Sequence, residues 1–193
     1  MLAVFDFYAG EPSPTMIAWS ERTQAERKKY STWFKANVDH NIERLRRALG
    51  ESGVDIALDF SMRSVEQLGA WLRAVAERTT PAPLGSPTAL VTNEALYAAA
   101  LVGVYCGEVR TRVLRELVPD ARVDWARCPR GASYGQMLWR WRVDRSDEWL
   151  FDVVGDVVLA LVHCVHDAAP LSLAQLCDVD DAITSARTRV LRG

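Results

Sequence analysis

Lysine is nearly absent from this chain: three lysines stand against twenty arginines among 193 residues. Together they are offset by 25 acids, for a formal net charge of −2. So even a balance supplies no global basic field, which argues against nucleic acid as the partner. Cysteine is scarce as well. Cys106, Cys128, Cys164 and Cys177 match neither a CxxC pair nor a dense disulfide framework, and they read as reduced thiols in apolar settings. No uncharged stretch reaches membrane-spanning length, so no membrane partner is expected. The opening MLAVFDFYAG is apolar but short, carries Asp6 and lacks a basic leader, unlike a secretory signal. These absences point to a cytoplasmic protein. GxSxG, P-loop, Rossmann and HExxH patterns are missing too. No catalytic residue can be assigned from them, and no cofactor is implied.

What is present is a core. About half of the residues are apolar (49%), enough for one α+β domain over residues 1–193. Within it, residues 1–53 read as a helical N-terminal extension and 79–91 as a long connection. The excess of arginine over lysine, with abundant Ala and Val, suggests a GC-rich bacterial coding sequence.

Periodicity assigns the elements. Tyr30, Phe34, Val38, Ile42, Leu45 and Leu49 step by three or four and predict one helix over residues 20–50, stopped by Gly50 and Gly53. Ile56, Leu58 and Phe60 alternate, as in a short edge strand or an extended lead-in. Ser64 with Gln67 forms a capping-box signal for a helix to Arg78, with Val65, Leu68, Leu72 and Val75 inward. Thr92 caps the next helix. There Ala99, Gly103 and Gly107 form a strip of small residues that lets another backbone approach. Beyond Pro119 the period changes to two: RVDWARC, MLWRWRV and WLFDV predict a three-stranded antiparallel meander. Its inner face is aromatic, and Arg122, Arg140, Arg142 and Asp152 lie outside. GDVVLALVHCVHDAAP predicts a buried helix capped near Asp156. A last helix is expected over residues 172–192, interrupted near Asp178. The fold class is thus a helical layer packed on one face of a small sheet.

Few residues suggest chemistry. Glu108 follows an almost unbroken apolar run, on the helix side shared by Leu101, Val104 and Tyr105. Arg112 stands one turn later, in the favourable order for an ion pair, and a structural anchor between them is the expectation. His163, Cys164, His166 and Asp167 are the one cluster with metal-ligand chemistry, but His163 and His166 lack a third and fourth ligand at a zinc spacing. Ordinary helix-end residues are expected there. WRWRVDR interleaves aromatic and basic residues. In a strand the alternation turns Trp139 and Trp141 away from Arg140 and Arg142, so the two kinds need not meet one ligand.

LDFSMRSVEQLGAWL, then YCGEV, then RVDWARC follow the order of a loose group of small bacterial proteins that this chain resembles over about residues 55–155. Those proteins have an LD-S helix, a Tyr-x-Gly-Glu helix and a Trp-bearing β-hairpin. The resemblance places Gly107 and Glu108 at the group's helix feature and carries over no catalytic residue. The long N-terminal helix and HCVH fall outside the pattern. Such proteins are often encoded near secretion or toxin systems, which implies an accessory or immunity-type role. The leading expectation is therefore a non-enzymatic protein that binds another bacterial protein, with Arg140, Arg142, Glu108 and Arg112 as candidate binding residues. One alternative is a small hydrolase or metal-dependent enzyme using His163, His166 and Glu108. The other is a nucleic-acid-binding regulator using Arg140, Arg142 and the cluster from Arg44 to Arg47.

Overall fold

A computed structural model describes residues 23–127, 137–142 and 148–179. The chain folds as α1 (Gln24–Ala36), α2 (Val38–Glu51), α3 (Met62–Thr79), α4 (Asn93–Leu117), β1 (Arg122–Arg127), β2 (Met137–Arg142), β3 (Glu148–Phe151), α5 (Val153–Asp167) and α6 (Ala174–Cys177). It is an α+β fold: helices packed on a three-stranded antiparallel sheet of order β1-β2-β3. Expectations for residues 1–22 and 180–193, and for the two strand connections, lie outside the described residues.

The helix expected over residues 20–50 is two. Thr23 opens α1 with a capping box: its hydroxyl accepts from the Glu26 amide, and the Glu26 carboxylate accepts from the Thr23 amide. At Asn37 the side-chain amide donates to the Trp33 carbonyl at 2.8 Å, and the backbone amide turns to Phe34 instead. A side chain that competes for its own helix's carbonyl breaks the ladder. The break lets α1 reach β1 while α2 lies along α4. Tyr30 and Phe34 from α1 and Ile42, Leu45 and Leu49 from α2 nevertheless join one buried cluster with the rest of the chain.

The central helix is α4. Every residue from Ala98 to Gly107 is buried, which explains the unbroken apolar run: the helix is covered all round. Its small residues have different clients. A Cβ on Gly103 would stand 2.7 Å from the Val154 Cα, so the missing side chain is what brings α5 against α4. A Cβ on Gly107 would stand 2.3 Å from the Trp125 ring. One glycine seats a backbone, the other an indole.

Two helix starts differ from expectation. Helix α3 is capped by Ser61, whose hydroxyl accepts from Ser64, rather than by Ser64. Helix α5 is capped by Asp152, which accepts from the Gly155 amide at 2.9 Å, not near Asp156; Gly155 leaves room for that carboxylate. Asp152 therefore lies beyond β3 rather than on the sheet's outer face. The connection over residues 79–91 is anchored. Gly85 (φ +80°) donates to the Val165 carbonyl at 2.8 Å, satisfying the end of α5 next to Ala168, which takes the left-handed conformation (φ 52°). Helix α6 ends at Cys177 with Asp178 as its C-cap, and the part beyond Val179 of the helix expected over residues 172–192 lies outside the described residues.

In the sheet, Trp125, Trp139 and Phe151 lie in one cross-strand row, and Val123, Trp141 and Trp149 in the next. Trp141 stacks on Trp149 with centroids 4.3 Å apart, and both Trp139 and Trp141 are fully buried.

Candidate functional site

Glu108 is held by Trp125. The indole Nε1 donates to its carboxylate at 2.9 Å, over the gap that Gly107 leaves, and the ring meets Phe34 edge-on at 5.2 Å. Gly107 and Glu108 thus act as one receptor: the glycine admits the ring and the glutamate takes its N–H. Among the described residues no ion pair joins Glu108 to Arg112.

Arg112 lies elsewhere. Its guanidinium carbon sits 3.6 Å from the centroid of Phe60, a ring that also stacks on Tyr105 at 5.0 Å. Phe60 has φ +64°, a conformation that costs a non-glycine residue about 1–2 kcal/mol. The Tyr105 hydroxyl compensates, accepting the Phe60 amide at 2.6 Å and meeting the Ser64 hydroxyl at 2.7 Å. Burial pushes the Tyr105 phenol above its ordinary value, with the Ser64 and Phe60 bonds opposing. LDFSMRS and YCGEV are therefore in contact.

Arg110 is a buried cation that sequence reasoning overlooked. Its guanidinium lies 4.7 Å from Trp139 and 4.4 Å from Phe151, and it donates to the Leu176 carbonyl at 2.8 Å, tying down α6. Burial lowers its pKa, while Cys177 and Asp156 work upward. The Cys177 thiol donates to the Cys106 carbonyl on the same turn of α4. Contact with that thiol, and burial, push Cys106 well up.

On the sheet's outer face Arg140 is a clamp. It forks onto Asp124 with bonds of 2.6 and 2.7 Å and donates to Glu148 at 2.9 Å, linking β1 to β3. The Asp124 bond raises the Arg140 pKa. At Asp124 burial works upward, but the Arg140 fork outweighs it and holds the carboxyl below its ordinary value. Arg142 is half-buried and makes no ion pair among the described residues. Arg46 pairs with Glu43 on α2, so the second half of the basic pattern stands on a separate element.

The histidines diverge from a metal centre. His163 Nδ1 lies 2.9 Å from Asp167, both exposed, while Cys164 points inward. Among the described residues no group of three His, Cys, Asp or Glu side chains is placed to hold a metal. No helix among them is long and apolar enough to cross a membrane.

An open groove of about 250 Å³ lies beside α3, lined by Asp55, Ala57, Asp59, Ser61, Arg63 and Gln67. The first four alternate along a segment whose other residues, Ile56, Leu58 and Phe60, pack on the core. The Ser61 hydrogen bonds hold the Asp59 carboxyl below its ordinary value. The alternation was visible in the sequence, but only its inward half was read.

No protein-family model matches the chain, and neither a curated protein nor a solved structure does.

Proposed function

We propose that this chain acts by binding another bacterial protein, in an accessory or immunity-type role, rather than by catalysis. What supports the reading is how the charged residues are committed. Glu108, Arg110, Arg112 and Arg140 each serve an internal partner. Exposed Asp55, Arg63 and Gln67 instead line the groove beside residues 55–61, with Asp59 accepting from the Ser61 amide. A general acid or base needs a second group and a pocket around it, and Glu108 has an indole.

The test is position-specific photo-crosslinking in cells that express the gene. A photoreactive residue at Ala57 should capture one dominant protein, competed by excess unlabelled chain. The same residue at exposed Glu43 on α2 should not capture it. Equal capture at both positions, or none at Ala57, would count against the reading.

A further inference from the structure

The segment before α3 carries open backbone groups. No amide or carbonyl of Asp55, Ile56, Ala57 or Leu58 bonds to another backbone group of the described residues; the neighbouring bonds are Val54 to Leu49 and Phe60 to the Tyr105 hydroxyl. Residues 54–58 run without a turn, and the chain then bends at Asp59 and Phe60, where Phe60 has φ +64°. Ile56, Leu58 and Phe60, each half-buried, pack against the core at every second position, and Asp55, Ala57 and Asp59 are exposed. Alternation pinned on one face is the condition under which a strand edge has a defined register. Asp55 and Asp59 flank the Ala57 methyl group, and the Asp59 carboxylate also accepts from the Ser61 amide at 2.9 Å. Arg63 and Gln67 form the opposite wall of the groove.

We infer that this groove is a strand-addition site for an extended, basic segment of another protein. The inference rests on the protein-binding reading and names the mode and chemistry of the partner. The incoming backbone pairs with the open groups of residues 55–58, as in other edge-augmentation complexes. Cations four residues apart on one face of the incoming strand meet Asp55 and Asp59, and a small or neutral residue lies over Ala57. The two carboxylates outnumber Arg63, and Arg63 and Gln67, which line the same groove, supply donors for carbonyls of the new strand. The same carboxylates set the specificity. A neutral or acidic strand would bury or oppose them without compensation, which is how charged edges refuse unwanted partners.

The test uses the full chain and a blocked heptapeptide of valines at odd positions with lysine, alanine and lysine at positions two, four and six, at millimolar concentration, with amide hydrogen exchange read residue by residue. In the free protein, amides 55–58 should exchange rapidly. With peptide, alternate amides of this segment should slow at least fivefold. The effect should be lost with a peptide N-methylated at alternate residues, and with a glutamate–valine peptide. Asp55→Asn with Asp59→Asn should weaken the lysine peptide at least fivefold and remove most of its salt dependence. Strand addition is overturned if the lysine peptide leaves exchange at 55–58 unchanged, or if the N-methylated or acidic peptide protects equally. Partner capture at Ala57 combined with that negative result would retain protein binding and remove only the strand-addition mode.

Discussion

The Trp125 indole donates to the Glu108 carboxylate at 2.9 Å, across 17 positions of sequence and over a glycine that leaves the helix surface bare. The acid at the foot of the apolar run is thus a receptor for a residue of the sheet. Glu108→Gln retains an acceptor and should cost on the order of 1 kcal/mol in denaturant unfolding. Glu108→Ala leaves the buried indole N–H unpaired and should cost about 1–3 kcal/mol. Trp125→Phe in the Ala background should recover part of that loss.

The companion glycine is expected to be less tolerant. In Gly107→Ala the new Cβ would lie 2.3 Å from an aromatic carbon, so the ring must move, at roughly 1–3 kcal/mol beyond any gain in helix propensity. Gly50→Ala is the control, since nothing lies within 4 Å of its added Cβ. It should stabilise by up to about 1 kcal/mol. Thermal melts of both variants check the contrast.

Why Glu108 was expected to pair with Arg112 is instructive. Helical spacing places them together, but a periodicity holds no information about Phe60, 52 positions before Arg112, whose ring takes the cation. The Trp125 contact likewise depends on tertiary approach. The meander was legible because aromatic alternation over three runs leaves one way to bury Trp139 and Trp141. The long N-terminal helix was misread at Asn37, where local side-chain bonding overrode the apolar stripe. At the two misplaced caps, acceptors within four residues competed, and at α5 the room that Gly155 leaves seats Asp152. In the groove, Asp55 and Asp59 were hidden by attention to their inward neighbours.

The sheet clamp sets an acid-side dependence. Asp124 titrates below its ordinary value in the folded chain, so its contribution is complete above the unfolded aspartate range near pH 4 and is lost as pH falls through the lower folded value. The stability difference between the parent and Asp124→Asn should therefore be constant from about pH 5 upward and shrink below pH 4. Unfolding curves over that range are the check. A difference that grows on acidification would contradict the clamp.

The buried thiols should be inert while the chain is folded. Cys106 and Cys164 are buried with raised pKa values, and Cys177 is buried against α4. An aromatic disulfide reagent at neutral pH should label these three only at the rate of unfolding, as mapped by mass spectrometry. Rapid labelling of Cys177 in the native protein would show that α6 opens independently of the core.

The central claim is that charge inside this molecule builds the fold and charge in the groove makes contact with a partner. Crosslinking yield at Ala57 separates the two most directly, compared between Glu108→Gln and the Asp55→Asn, Asp59→Asn double variant. The account expects Glu108→Gln to keep the crosslink with slightly reduced stability, and the double variant to lose it with only the small stability loss of weakening the Asp59–Ser61 bond. A fully stable Glu108→Gln chain that loses the crosslink, beside a double variant that retains it, would contradict the account.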